Sequence, residues 1–171
     1  MRSKGFSLIE LLIVVAIILI IAAVAIPNLL RARIAANEAS ATNSIRQINT
    51  SEFTYNTTYP TVGYAAQLSN LGGASPCLPS PASACLLDNI LSNAIPGSTG
   101  KSGYVFRATG LLPANGVNTA FVSGASPMTY NISGVRNFCS TEDGAIRFNA
   151  GGAGSVPVNS SANCLAFTIM Q

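Results

Sequence analysis

Glu10 has the most unusual chemical setting of any residue in this chain. It follows a short basic head and Phe6, and it precedes twenty uncharged residues, 11–30. A helix of that length rises about 30 Å, which matches the hydrocarbon core of a bilayer. A carboxylate inside such a span costs about 2.5–3.5 kcal/mol on insertion scales, so an ionisable residue there indicates a function. Glu10 therefore needs a cationic partner.

A cut after Gly5 would create that partner, because the new amino group on Phe6 would be the only cation near Glu10 in the apolar region. Within one helix the two groups would lie one turn apart, and an intramolecular pair is one interpretation. Between neighbouring chains the same pair would fix the axial register, since any slip leaves a carboxylate unpaired in a low dielectric. The residues alone leave both pairings open.

The order Lys4-Gly5-Phe6-Ser7-Leu8-Ile9-Glu10, followed by an uninterrupted apolar run, resembles the class III leader junction of bacterial type IV pilins and pseudopilins. The resemblance covers residues 1–59 closely, and the rest of the chain shares only the general layout. It implies that residues 1–5 are a leader, which a prepilin peptidase removes between Gly5 and Phe6. It also implies N-methylation of Phe6 and makes Glu10 the assembly glutamate.

The same resemblance implies the partners and the location of the protein. Its partners would be copies of itself in a helical filament, the prepilin peptidase, and the pilus assembly platform with its assembly ATPase. The precursor would lie in the bacterial inner membrane with its C-terminal part outside, and the mature subunit would reach the cell surface in a pilus. The expected function is that of a structural subunit of a type IV pilus, for adhesion, motility or DNA uptake.

Two other functions remain open. A pseudopilin of a type II secretion system would build a short periplasmic filament, and a membrane-anchored binding module would not polymerise. A long head with two candidate disulfides favours the pilin, because the major pseudopilin usually has a smaller head with a calcium loop. An ordinary signal peptide fits less well, since its apolar region spans about 7–15 residues, and a plain anchor gives Glu10 no role.

The composition disfavours an enzyme. Only 9% of the residues are charged, 49% are hydrophobic, and His and Trp are absent. With six acidic residues in all, the groups that acid-base catalysis or a metal site needs are scarce. Glu142 and Asp143, with the distant Asp88, fall far short of the six to eight oxygen ligands of calcium, so we interpret the first two as a turn. We expect no catalytic residue, cofactor or metal ion.

The net charge gives no sign of a nucleic-acid site. The formal charge is +3, and removal of Arg2 and Lys4 would leave seven basic and six acidic side chains. No basic stripe is evident in the sequence.

One long helix must position Phe6 and Glu10. Its predicted first part, residues 6–30, is the transmembrane or filament-core segment, and its second part, 31–59, is amphipathic and should dock on a head. Pro60 disfavours helical geometry at Tyr59, which predicts the end of the helix. Pro27 removes a hydrogen bond and predicts a kink, or a point where the helix extends on filament packing. The apolar stripe of the second part consists of Leu30, Ile34, Ala41, Ile45, Ile48, Tyr55 and Tyr59.

The remaining residues predict a sheet that packs on this helix. Residues 60–102 form a connecting region rich in Gly and Pro, with one short helix within 86–91, and from residue 103 the apolar period changes to two. Asp143-Gly144 supplies the turn of the clearest hairpin. The predicted fold is α+β and type IV pilin-like, with the amphipathic half of the helix packed on an antiparallel sheet in residues 103–171. The strands are predicted at residues 104–109, 128–132, 135–140, 145–149 and 164–170.

Four cysteines lie beyond the apolar span: Cys77, Cys85, Cys139 and Cys164. An even count in an exported domain favours disulfides, and four cysteines allow three connectivities. Metal binding would prefer close C-x-x-C pairs, which the sequence lacks. We favour Cys77 with Cys85, which would close a Pro-rich loop, and Cys139 with Cys164, which would tie the hairpin to the last strand. The second pair resembles the C-terminal disulfide loop of many type IV pilins.

Overall fold

The computed structural model of the protein describes residues 6–170. The predicted leader, including Gly5 at its cleavage site, lies outside the described residues. The described chain divides into two units, residues 6–33 and residues 34–170.

Helix α1 spans Leu8–Thr58 and contains Pro27. Its part in the first unit is mostly apolar and has no buried residue. It belongs to the one helix of the described residues that is long and apolar enough to cross a membrane by length and composition. At its start, the backbone N–H groups of Glu10 and Leu11 donate to the Ser7 carbonyl. At its other end, α1 stops two residues before Pro60, as the restriction on the residue before a proline predicts.

The connecting region of the second unit contains two short helical turns. A 3₁₀ helix spans Leu68–Leu71, and helix α2 spans Asn89–Ser92. Asp88 caps α2, because its side chain accepts a hydrogen bond from the Leu91 N–H at 2.8 Å. The predicted short helix therefore exists, but it begins three residues later than expected because Asp88 fixes its start.

Five antiparallel strands form one sheet in the second unit, in the order β1-β2-β3-β4-β5. Each strand pairs with the next strand of the chain, so the sheet is a meander. The strands are β1 (Tyr104–Ala114), β2 (Val117–Pro127), β3 (Arg136–Thr141), β4 (Arg147–Ala150) and β5 (Thr168–Ile169).

The second half of α1 packs on one face of this sheet. Residues of the predicted stripe, Ala41, Ile45, Ile48 and Tyr55, are buried against the inward side chains of the strands. Those inward side chains are Tyr104, Phe106, Ala108, Ala125 and Phe138. The α+β architecture predicted from the sequence is confirmed. Leu30, by contrast, belongs to the first unit and is 42% exposed.

The C-terminal segment covers the other face of the sheet. Helix α3 spans Ser161–Leu165, and its Cys164 packs with Val122 and Cys139 in a second, smaller core. Gly124 permits this approach, because a Cβ there would lie 2.7 Å from the backbone nitrogen of Val158. The head therefore has three layers: the helix, the sheet and the C-terminal segment.

The strand prediction at residues 128–132 is wrong. Met128 and Ile132 are 45% and 60% exposed and lie in turns, whereas the strand missed by the sequence analysis is β2. Much of β2 consists of small residues, Ser123-Gly124-Ala125-Ser126, which carry no strong alternation of large apolar side chains. Asn115-Gly116 marks its hairpin, and both residues adopt positive φ, 53° and 83°.

The predicted last strand, 164–170, is also wrong in its first half. Ser160 caps α3 by accepting a hydrogen bond from the Asn163 N–H, so this stretch is helical, and only Thr168–Ile169 pair with β4. The Cys139–Cys164 bond holds Cys164 over the sheet, at a Cα–Cα distance of 5.8 Å, rather than beside it. The local alternation of apolar residues in this segment did not reveal that constraint.

Candidate assembly surface

Glu10 lies in the first turn of α1 with its side chain exposed. Phe6 precedes the helix and is 76% exposed. Within the described part of the chain, the Glu10 carboxylate forms no ion pair. The structure thus presents a carboxylate that has no ionic partner among residues 6–170, one turn from Phe6.

The surface around Glu10 is apolar. Leu8, Ile13 and Leu29 are 81%, 52% and 71% exposed, and other large side chains between them are similarly uncovered. Such a surface requires lipid or other apolar helices around it. Pro27 lies in this segment, inside α1.

Glu38 forms polar contacts that connect α1 to the sheet. It is buried, and its Oε1 accepts hydrogen bonds from the backbone N–H groups of Val135 and Arg136, at 3.0 and 3.1 Å. Its Oε2 accepts one from the Arg136 Nε at 2.8 Å, and the same guanidinium forms an ion pair with it. The guanidinium also lies over the rings of Phe138 and Phe148, at 5.6 and 5.4 Å. The buried carboxylate is therefore well satisfied.

A buried amide makes a second polar contact between α1 and the sheet. Asn49 donates to the Ser140 hydroxyl at 2.8 Å and accepts from the Ser123 hydroxyl at 2.7 Å. All three side chains are buried. Because each hydrogen bond has a fixed geometry, this contact sets the position of the helix relative to β2 and β3.

Glu52 makes the third contact, and its chemistry differs. The residue is fully buried, and its Oε2 accepts a hydrogen bond from the Ala65 N–H at 2.9 Å. Its Oε1 has no hydrogen-bond partner in the described part of the chain. Burial raises the pKa of Glu52 to about 8, although the Ala65 hydrogen bond opposes the shift. The carboxyl is therefore mostly protonated at neutral pH.

The structure contains the disulfides Cys77–Cys85 and Cys139–Cys164, the two pairs that the sequence analysis favoured. The first closes a loop whose Pro81 carbonyl accepts a hydrogen bond from the Tyr55 hydroxyl at 2.6 Å. The second joins β3 to α3. Each bond thus fixes a segment that has little regular structure.

Two of the three acidic residues considered for calcium, Asp143 and Asp88, have local partners instead. Asp143 accepts hydrogen bonds from the Ala145 N–H and the Thr141 hydroxyl, and its ion pair with Arg147 lowers the pKa of Asp143 to about 2. Asp88 pairs with Lys101 at 3.2 Å in addition to capping α2. The described residues contain no cluster of three metal-ligating side chains.

Comparison with known proteins agrees with the character of the N-terminal segment. Residues 1–26 match the prokaryotic N-terminal methylation motif. The chain is 66% identical, over 41 residues, to the type IV wide pilus major component PilA4 of Thermus thermophilus; this covers 24% of the chain and 31% of the relative. It is 43% identical, over 51 residues, to the type IV major pilin protein PilA of Myxococcus xanthus, covering 30% of the chain and 23% of the relative. No solved structure matches the chain significantly.

These matches span a third or less of the length of each relative. The methylation motif and the two relatives show that part of this chain is similar to type IV pilus proteins, as the resemblance of the leader junction predicts. The long apolar helix and the antiparallel sheet form a pilin-like architecture.

Proposed function

We propose that this protein is the structural subunit of a type IV pilus. In this proposal a prepilin peptidase removes residues 1–5 after Gly5, and Phe6 becomes the N-methylated terminus. The α1 helices of many copies then pack into the core of a filament. The observation that carries the proposal is Glu10, a carboxylate without an ion pair among the described residues, on an otherwise apolar helix surface.

The Phe6 amine of a neighbouring copy would be the partner of Glu10. Apolar helix surfaces in contact have no strong preference for one axial position, because lipid and side chains are equally apolar. A single buried ion pair supplies that preference, since a shifted copy would leave a charge unpaired. Pro27 would supply a helix turn with one hydrogen bond fewer, where α1 could bend or extend during packing.

The precursor would remain in the inner membrane through residues 6–30 until the assembly platform and its ATPase added it to the filament. The filament would lie at the cell surface and serve adhesion, motility or DNA uptake. One relative is named a type IV wide pilus major component and the other a type IV major pilin protein, which favours a pilus over the pseudopilus of a type II secretion system.

The proposal predicts the effect of Glu10→Gln, which keeps the shape of the side chain and removes its charge. We expect an inserted, processed and folded subunit, because removal of a carboxylate makes insertion easier by about 2–3 kcal/mol. We expect few or no filaments, because each neighbouring Phe6 amine loses its partner. Electron microscopy of sheared surface fractions and immunoblots of membranes measure the two outcomes.

Ser7→Ala is the matched control, since it changes the same helix turn without altering charge, and it should leave filament number unchanged. Filaments of normal number and length in Glu10→Gln would show that Glu10 acts only within its own helix.

A further inference from the structure

The charges of the head do not all pair within the chain. Three cations of residues 34–170 form ion pairs, and two others, Arg46 and Arg107, form none among the described residues. Glu142 is the one exposed carboxylate of the described head that has no ion pair or hydrogen bond. The pairs are Lys101 with Asp88, Arg136 with Glu38, and Arg147 with Asp143.

Glu142 lies at a protruding point of the head. It occupies the turn between β3 and β4, where Asp143 and Gly144 are also exposed. A Cβ on Gly144 would meet nothing within 4 Å. The charge of Asp143 is compensated by Arg147, so the turn carries one uncompensated negative charge at its tip.

Arg46 lines a concave surface, and it carries the one charge of that surface that has no ion pair among the described residues. We call this surface the α1 groove; it has a volume of about 420 Å³ and is lined by Arg46, Gln47, Thr50 and Ser51 of α1 and by residues 86–88. Arg46 is exposed, and the Gln47 side chain forms no hydrogen bond with the described residues. The carboxylate of Asp88 at the edge of the groove is compensated by Lys101 and the Leu91 N–H.

Arg107 is a poorer partner for a polar turn. Its side chain is half-buried, and its own cavity, about 380 Å³, has Ile95, Pro96 and Phe106 among its walls. A carboxylate turn that entered this cavity would lose hydration against apolar side chains. Polar side chains also line that cavity, but the apolar residues of the α1 groove are limited to Leu86 and Leu87, so most of its lining is polar.

We propose that the turn carrying Glu142 docks in the α1 groove of a second copy of this chain, with the Glu142 carboxylate on Arg46. The inference rests on the proposed function, because a filament brings many heads together in one repeated orientation. Turn and groove are different patches of the same chain, so the contact is heterologous and extends from copy to copy. An exposed ion pair contributes little affinity by itself. Its role is to select the packing of the heads, whereas Glu10 aligns the helices.

Charge reversal tests the pair. Glu142→Arg and Arg46→Glu, each alone, replace attraction by repulsion and should lower the number of filaments per cell about fivefold, a change typical of a weak surface contact. The double variant, E142R with R46E, should restore the wild-type number. Glu142→Arg combined with Arg107→Glu is the control and should show no rescue. Single variants at wild-type level, or equal rescue by Arg107→Glu, would overturn the proposal.

Cysteine pairs give a second readout that tolerates weak filament yield. Glu142→Cys with Arg46→Cys should give disulfide-linked ladders in non-reducing gels of sheared filaments, and Glu142→Cys with Arg107→Cys should not. The contact is refuted if the first variant gives no ladder although circular dichroism of the full chain in detergent shows that its head is folded. A wild-type strain without filaments made of this chain would instead refute the proposed function, so the presence of wild-type filaments separates the two cases.

Discussion

Glu52 keeps its proton at neutral pH because the surrounding protein does little to stabilise the charged carboxylate. The residue is fully buried, one of its oxygens has a single N–H donor, and the other has none among the described residues. Glu38, on the same helix, receives two backbone donors and a guanidinium. Two glutamates of one helix face therefore act differently: Glu38 acts through its paired charge, and Glu52 acts as a neutral hydrogen-bonding group.

The titration of Glu52 predicts how stability depends on pH. The unfolded chain releases this proton near the ordinary pKa of 4.5, whereas the folded protein holds it up to a pKa of about 8. The folded state thus binds more protons in this interval, and the free energy of unfolding should fall as pH rises from about 4.5 to about 8, by at most about 1.4 kcal/mol per unit. Above that interval the contribution of Glu52 should be constant.

Denaturant unfolding of the full chain in detergent, at about pH 5, 6.5 and 8, measures this dependence. Glu52→Gln cannot titrate and should show a flatter profile. Equal slopes for the two proteins would contradict the assignment of a neutral Glu52.

Both buried glutamates follow the helical spacing of the apolar stripe, although the sequence analysis missed them. The stripe advances by seven residues twice, from Ile34 to Ala41 and from Ile48 to Tyr55, and Glu38 and Glu52 occupy the skipped positions. Their charge argued for exposure, because carboxylates are seldom fully buried. Only the loop and strand backbones that meet them across the fold, such as the Ala65 and Val135 N–H groups, explain their burial.

At the scale of elements, the sheet is held between α1 and the C-terminal segment. Contacts of α1 are mixed, with apolar side chains around buried polar groups. The opposite face depends on the small core of Val122, Cys139 and Cys164 and on the disulfide within it. The C-terminal segment is therefore held on the sheet largely by the Cys139–Cys164 disulfide, whereas α1 is held by noncovalent contacts.

The two disulfides should differ in their effect on stability. Replacing Cys139 and Cys164 by Ser should lower the free energy of unfolding by about 3.5 kcal/mol, and replacing Cys77 and Cys85 by about 2.6 kcal/mol, since the entropy of the unfolded chain depends on loop length. The respective sequence separations are 25 and 8 residues. Thermal or denaturant unfolding of both double variants measures the difference. If the Cys77 and Cys85 variant lost more free energy of unfolding, this account of the C-terminal segment would be contradicted.

Element prediction succeeded where local signals were strong. The stop of α1 before Pro60 and the hairpin at Asp143-Gly144 follow from backbone restrictions of one or two residues. Strand β2 could not be predicted from local apolar alternation. Its small residues are buried only because α1 covers one face of the strand and the C-terminal segment covers the other. Asn115-Gly116 was the available local indication of its hairpin.

At the scale of the whole molecule, the first unit and the head differ in whether their apolar side chains are exposed or buried. The first unit exposes a continuous apolar surface with one carboxylate, and the head buries its apolar residues in two cores. The leader motif and the apolar run are short-range signals, so a single sequence was enough to predict them. Contacts between copies cannot be derived from the sequence pattern of one chain. For that reason the pairings of Glu10 and Glu142 between copies are proposals.

The intact mass of the main protein in purified surface filaments tests the central claim most directly. If this chain is a pilin, mass spectrometry of sheared filaments should identify it as the principal component. Its mass should correspond to a chain that begins at Phe6, carries one added methyl group and retains its disulfides. A filament protein that still carries residues 1–5, or surface filaments that contain none of this chain while it remains unprocessed in the membrane, would contradict the account.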